Sequence, residues 1–335
     1  MPINPTSGSV HIDRALTDFA IAYGTDLAST FVADRACTVV PVDKQSDKYF
    51  QWNKGDFYRL EMAKRGDGDK SEGSGQRISN TTYFADVWAL HTMITDRQRN
   101  NARNEVDLEA AKVRYLMHQA KLARDSQFAS TLFTTSVWSG FSDQAGVTSS
   151  PSTNQFIYWD DYSNSDPIDD ITDQISALEV TAGVPGADLV AVTNAAVFRA
   201  LANHPDMLDR IKYTAGVDRP AAVTQQAMAA VLGLDELIVA RAVQNSAAEG
   251  ATATMAALFG DSFLLMYRTP TASDDMPTAA SLFSWTEFDG VTPDGAAIFQ
   301  WYDESRKSTF LEAEQAFDIV ATAADLGGIF TGCLA

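Results

Sequence analysis

The chain has 335 residues, 45% of them hydrophobic and 10% aromatic, with a formal net charge of -19; a chain of this size buries a sizeable core, and its length points to about two domains. No run approaches the roughly 18 apolar residues of a transmembrane helix, and Met1–Val10 lacks the basic and apolar regions of a signal peptide, so a cytosolic globular protein is expected. Residues 1–125 hold 17 of the 25 Lys/Arg and 17 of the 44 Asp/Glu, which leaves 8 cations against 27 anions and excludes a basic nucleic-acid-binding surface after Arg124.

Pro2, Pro5 and Gly8 open a weakly alternating stretch to Val42 that reads as an arm, with room for a short amphipathic helix over His11–Ala22. From Tyr49 a period of two sets in: Phe50 and Trp52 alternate with polar positions, then Tyr58, Leu60 and Met62 alternate with Arg59 and Glu61, as in a strand. A return strand is expected from about Ile78, with Tyr83, Ala85, Val87 and Ala89 on one face, Phe84, Trp88 and Leu90 on the other, and burial on both sides. Between them, Lys64–Arg77 contains no apolar side chain but four glycines and seven charges: Lys64, Arg65, Asp67, Asp69, Lys70, Glu72 and Arg77. An isolated two-stranded ribbon is marginal in water, and this one has nothing at its centre to bury. Support from neighbouring copies follows, which makes an assembling structural protein the first expectation.

The strongest helix comes next. Asn104 and Asp107 suit its start, and Val106, Ala110, Val113, Met117, Ala120 and Ala123 recur at three and four residue spacing towards Leu132. Val106, Val113, Met117 and Ala120 define the expected core face of a rod of about 40 Å. Lys112, Arg114, Lys121 and Arg124 read as its solvated face. Ser139–Asp166 is rich in Ser, Asn, Gly and Asp and ends on a helix-start signal, Ser165-Asp166-Pro167, where a domain boundary is expected. An α/β unit follows: helices over Pro167–Glu179, Asn194–Leu201, Pro205–Ile211 and Ala221–Leu232, with strands over Leu189–Val192, Glu236–Val243 and Met255–Tyr267. Ala279–Glu287, Ala297–Trp301, Ser308–Ala321 and Leu326–Phe330 complete the strands.

Catalytic and metal-binding patterns are missing. His11, His91, His118 and His204 are scattered without HExxH or i, i+4 pairing. Cys37 and Cys333 form neither a disulfide framework nor a metal spacing and read as small packing residues. Gly66–Gly75 joins two strands and matches no phosphate-binding loop, and no GxSxG elbow is present. The acidic pairs Asp160 and Asp161, Asp169 and Asp170, and Asp274 and Asp275 lack EF-hand spacing and read as solvated surface. No cofactor and no metal is expected.

In order along the chain, Val10–Thr17, Phe31–Asp34, Pro41–Phe50, Lys54-Gly55-Asp56, Thr95-Asp96-Arg97 with Asn101-Ala102 and Asp107-Leu108-Glu109, Ser165–Ile168 and His204-Pro205 resemble the major capsid proteins of tailed bacteriophages. That resemblance implies an α+β chain of the Hong Kong 97-like type. Its parts would be an N-terminal arm (1–45), an extended hairpin loop (46–84), a peripheral domain (85–165) with a spine helix at about 104–132, an axial domain (166–300), and a return to the peripheral domain (301–335). It further implies homo-hexamers and homo-pentamers in an icosahedral virion shell, assembled in the bacterial host cytoplasm around double-stranded DNA without sequence-specific binding and without a membrane. Because the chain starts at the arm, scaffold and protease, like the portal, are expected as separate proteins; a decoration protein is left open. Lys64 and Lys70 sit where some relatives carry a crosslinking lysine, but no pattern marks a partner asparagine or catalytic acid. The alternatives are an encapsulin-like cellular compartment and, from a different class, a soluble enzyme.

Overall fold

Two sheets divide the apolar side chains between them, and one long helix has an end in each core. The structure, a computed structural model, describes residues 11–12, 30–52, 54–101, 107–214, 223–269, 277–287 and 296–335. In chain order come β1 (His11–Ile12), α1 (Ala33–Ala36), β2 (Thr38–Val42), β3 (Ser46–Trp52), α2 (Lys54–Phe57), β4 (Ile78–Phe84), β5 (Asp86–Thr95), α3 (Asp96–Asn101) and α4 (Leu108–Leu132). There follow β6 (Gln144–Val147), β7 (Gln155–Ile157), α5 (Pro167–Ala182), β8 (Leu189–Asn194), α6 (Ala195–Asn203), α7 (Pro205–Thr214), α8 (Gln225–Leu232) and β9 (Glu236–Ala240). The chain closes with β10 (Val243–Asn245), β11 (Met255–Ala257), β12 (Phe263–Tyr267), β13 (Ala280–Trp285), β14 (Ala297–Asp303), β15 (Ser308–Ala321) and β16 (Gly327–Thr331).

The first sheet is built on β15, the 14-residue strand. β14 and then β13 pair antiparallel along one of its edges, and β5 pairs antiparallel along the other, from Ser308 opposite Thr95 to Phe317 opposite Asp86. β2 adds to β13 in parallel, and β1 adds to β14. α4 begins at an N-cap, Asp107, whose carboxylate accepts from the Ala110 N–H at 3.0 Å, and it lays Val113, Leu116 and Met117 against Ile94, Ile298, Leu311 and Ala313. Its distal residues Phe128 and Leu132 belong to the larger core, which is built mainly on the second sheet and also takes in Ala280, Leu282, Phe317 and Ile319 of the first.

That second sheet runs β7-β6-β16-β12-β8-β9. β8, flanked by β12 and β9, is buried at every position, the mark of a strand covered on both faces. The flanking helices are punctuated as the sequence prescribes. Asp166 caps α5 with Pro167 in its first turn, and Gly183 ends it in the left-handed region at φ 70°; Asn194 and Thr224 cap α6 and α8. At Gly146 a Cβ would overlap the Gly332 carbonyl oxygen and the Tyr158 ring, so only glycine lets β6 approach the C-terminal strand this closely. Two ribbons stand apart from both sheets: β3 with β4, and β10 with β11.

Several expectations are corrected. Within residues 31–42, expected as arm, Phe31, Val32, Ala33, Ala36 and Cys37 are core residues and Thr38–Val42 is a sheet strand, paired in parallel with β13. Tyr58–Met62 is not a strand, because β3 has already ended and no partner strand reaches these residues; 58–77 holds no helix or strand. Met255–Tyr267 is two strands in different sheets, parted by a bend around the buried Phe259. Glu236–Val243 likewise divides between β9 and β10. Burial of the return strand on both sides fails: Tyr83 and Ala85 are buried, but Phe84 is 53% exposed and Val87, Trp88, Leu90 and Met93 keep 41–48% of their surface exposed, since among the described residues β5 is the outermost strand on its side of β15. Sheet membership also crosses the expected domain limits. β6 and β7 precede residue 166 yet belong to the second sheet, β13 lies in the first, and β16 returns to the second rather than the first. Val106, Asn104, Asp274, Asp275 and most of the expected arm lie outside the described residues.

Candidate assembly surface and its anchorage

The ribbon β3–β4 pairs over seven residues, Ser46 opposite Phe84 to Trp52 opposite Ile78, and at its base Tyr83 stacks on Phe283 of the first sheet at 4.5 Å. Beyond that base Tyr49 still meets Phe283 at 5.4 Å and the Tyr58 hydroxyl donates to the Gly183 carbonyl at 3.2 Å, but other large side chains stand in solvent. Phe50 is 66% exposed, Leu60 92% and Met62 94%, and Ile78 and Phe84 are exposed over half their surface. Lys64, Arg65, Asp67, Asp69, Lys70, Glu72 and Arg77 are all exposed, as the glycine-rich composition between them predicts. Asp56 ties the loop's two ends together: its carboxylate accepts from Arg77 Nε and Nη2 at 2.8 Å and from the Arg77 N–H at 3.1 Å. Those hydrogen bonds from Arg77 hold the Asp56 carboxyl down at about 2. A cleft of about 440 Å³ within the loop is lined by Arg59, Glu61, Glu72, Gly73, Ser74 and Gly75, a polar lining with no nucleophile and base in contact.

On α4, Val113 and Met117 are fully buried and Ala120 is half-buried against the same core. Lys121 and Arg124, expected in solvent, are instead buried, and so is Asp125. Lys121 Nζ and Arg124 Nη1 both donate to the Asp34 carboxylate of α1, the latter at 2.8 Å. Arg124 Nε donates to Gln315 Oε1 at 3.0 Å, its guanidinium lies 5.4 Å from the Phe317 ring centre, and Gln315 Nε2 donates to the Ala120 carbonyl at 2.9 Å. Asp125 accepts from the Val32 N–H at 3.1 Å and the Ala33 N–H at 2.9 Å, supplying the acceptor that the N-terminus of α1 otherwise lacks. Neighbouring Arg35 pairs with Glu236 of β9, and Arg268 donates to both Glu236 and the Arg35 carbonyl. Segment 31–37 therefore grips the spine helix with one side and the second sheet with the other. No sequence signal marks this cluster on α4, whose contacts span from 87 to 195 positions.

One arrangement has the composition of a hydrolase triad. Ser165 Oγ lies 3.2 Å from His204 Nε2, and His204 Nδ1 lies 3.4 Å from an Asp206 carboxylate oxygen. Its polarity is the reverse of a nucleophile's. The serine hydroxyl donates to the Asp161 carbonyl at 2.8 Å, so Nε2 must donate to the serine, while Nδ1 accepts from the Asp206 N–H. The trio fastens a loop to α7. Asp170 also departs from the solvated reading: burial pushes its carboxyl up to about 6, and it accepts from the Trp159 indole at 3.2 Å. Cys37 and Cys333 are buried packing residues whose thiols burial pushes up. Among the described residues no cluster of three His, Cys, Asp or Glu side chains could hold a metal ion, and no helix is long and apolar enough to cross a membrane.

No protein-family model and no curated protein matches the chain. Solved structures do. A phage-related protein from Bordetella bronchiseptica is 18% identical and similar over 97% of this chain and 98% of its own, with a TM-score of 0.70. The capsid of a cyanophage is 12% identical over 90% and 88%, with a TM-score of 0.56, and an encapsulin complex from Synechococcus elongatus is 12% identical over 99% and 92%, with a TM-score of 0.52. At these identities the likeness is one of fold.

Proposed function

We propose that this chain, which has the Hong Kong 97-type α+β capsid fold, is the major capsid protein of a tailed double-stranded DNA bacteriophage and assembles as hexamers and pentamers into an icosahedral shell. The observation that carries this reading is the ribbon β3–β4 with its loop: it projects Phe50, Leu60, Met62 and Ile78 into solvent, which a subunit acting alone has no reason to do. In the proposed shell this ribbon is the extended hairpin loop lying on a neighbouring subunit. The first sheet with α4 forms the peripheral domain, and the second sheet with its helices forms the axial domain around the capsomer centre. The mechanism is association, through obligate interfaces of thousands of Å² per chain. The 27 anions against 8 cations beyond residue 125 suit a wall that encloses DNA without holding it.

Negative-stain microscopy and size-exclusion chromatography of the purified protein test this directly. Closed shells eluting in the void volume are expected, and a stable monomer or small oligomer at high concentration overturns the proposal. Particles filled with a protein cargo instead of DNA in the native host would move the reading to an encapsulin-like compartment, whose fold the chain shares.

A further inference from the structure

We propose that segment 58–62 of one copy adds as a strand to the open outer edge of β5 in another, so that the pairing each lacks within its own chain is made between chains. This deepens the shell reading above and rests on it in taking the loop to lie on a neighbouring subunit. β5 is ten residues long and pairs with β15 along one side, and among the described residues no strand pairs along the other. Such an edge points a row of N–H and C=O groups outward, which natural sheets blunt with Lys, Pro, bulges or a short strand. None of these devices is present: Asp86–Thr95 has no Lys, Arg, Pro or Gly, and its register with β15 runs without a bulge. Its apolar side chains are half-exposed on both faces, Trp88 and Leu90 on the side of Ile94, which α4 covers, and Val87 and Met93 on the opposite side. An edge open in its backbone and apolar on both faces fits an incoming strand.

The same chain carries a strand pattern without a sheet. Tyr58, Leu60 and Met62 alternate with Arg59 and Glu61, yet the segment is neither helix nor strand, and Leu60 and Met62 are 92% and 94% exposed. Arg59 Nη1 pairs with Glu61 Oε1 at 3.3 Å, so the polar residues of the alternation satisfy each other while the apolar ones have nothing to cover. Within its own chain the segment is committed elsewhere. The Tyr58 hydroxyl donates to the Gly183 carbonyl at the end of α5, where a Cβ on Gly183 would overlap the Tyr58 ring, and Arg77 clamps the loop to Asp56. The β5 edge it fits is therefore that of a second copy, and the strand periodicity at 58–62 describes a strand that exists only between subunits.

Disulfide capture between two single-cysteine chains tests the pairing in whatever species they form. Cys37 and Cys333 are buried, so the introduced thiols are the ones that react under mild oxidation. Leu60→Cys is mixed in turn with Val87→Cys, Trp88→Cys, Ala89→Cys and Leu90→Cys, and dimers linking unlike chains are quantified by mass spectrometry. Strand addition predicts a yield that alternates along β5, one parity exceeding the other by about fivefold or more, because successive side chains of a paired strand point to opposite faces. Uniform yields, or none, overturn the proposal. Hydrogen exchange of the unsubstituted chain gives a second reading: the β5 amides that face away from β15 should gain about tenfold protection on association, and no gain overturns the proposal as well. Size-exclusion chromatography reports the shell separately. Shells without alternation sink the strand addition and leave the shell reading standing, whereas alternation in small oligomers supports the strand addition and sinks the shell.

Discussion

Arg124 and Lys121 stand three apart on the spine helix and look like any pair of solvated cations; their burial beside Asp34 turns a surface pattern into a structural one. Removing the carboxylate that both cations share is costly, because their charges stay buried. Asp34→Asn should accordingly destabilise the subunit by about 3 kcal/mol, read as a lowered denaturation midpoint at neutral pH. Val113 offers a different test on the same helix. It is wholly buried in the apolar cluster with Leu311 and Ile298, so Val113→Asp should cost several kcal/mol, on the order of 3 or more, and yield insoluble or unfolded protein by soluble fraction and circular dichroism. The apolar periodicity made Val113 and Met117 legible in advance. Arg124 was not, since a cation's destination depends on which distant carboxylate the fold delivers to it.

Among the elements, the ribbon and its loop separate folding from association most cleanly. Leu60 and Met62 contribute nothing to the core, so Leu60→Asp and Met62→Asp should leave circular dichroism and subunit solubility unchanged while lowering shell yield in sedimentation. Deleting Lys64–Arg77 should act more severely in the same direction, and normal particles of normal thermal stability would contradict the intersubunit role proposed for the loop. The composition of this loop announced its exposure, and the alternation of Tyr58, Leu60 and Met62 misled because strand periodicity records which side chains are apolar, not whether a partner strand is present. β5 repeats the lesson: its residues alternate like a doubly covered strand, yet among the described residues no strand pairs along its outer edge. Segment 31–37 failed in the opposite way. Its apolar residues are interrupted by Asp34 and Arg35, so local pattern gave no sign that the segment is buried.

Across the whole molecule, the acidic excess sets how copies meet. Several cations of the ribbon are already matched within the chain, Lys44 by Asp47, Arg59 by Asp56 and Glu61, and Arg77 by Asp56. Repulsion between like-charged subunits should then dominate association, and moderate salt should promote assembly by screening it over a Debye length of about 8 Å at physiological ionic strength. Light scattering across a salt series at fixed pH would show this, and a monotonic loss of assembly with rising salt would contradict it. At this scale most elements could be read from the residues, whereas their distribution between sheets could not. The return of β16 to the second sheet and the passage of β13 to the first are decided by long-range pairing, for which local pattern carries no signal.

The spine helix has a mechanical meaning as well as a structural one. Its 25 residues make a rod of about 37 Å with its proximal half seated on the first sheet and its distal end, Phe128 and Leu132, set in the core of the second. A close-packed seat at each end leaves little slack. Tilting the rod by about 5° at one seat would carry the other through about 3 Å, a displacement comparable to a side-chain contact distance. Flexing in one half of a subunit is thus transmitted to the other as a lever transmits a stroke, and the seat of segment 31–37 at Lys121–Asp125 lies close to where the fulcrum would be.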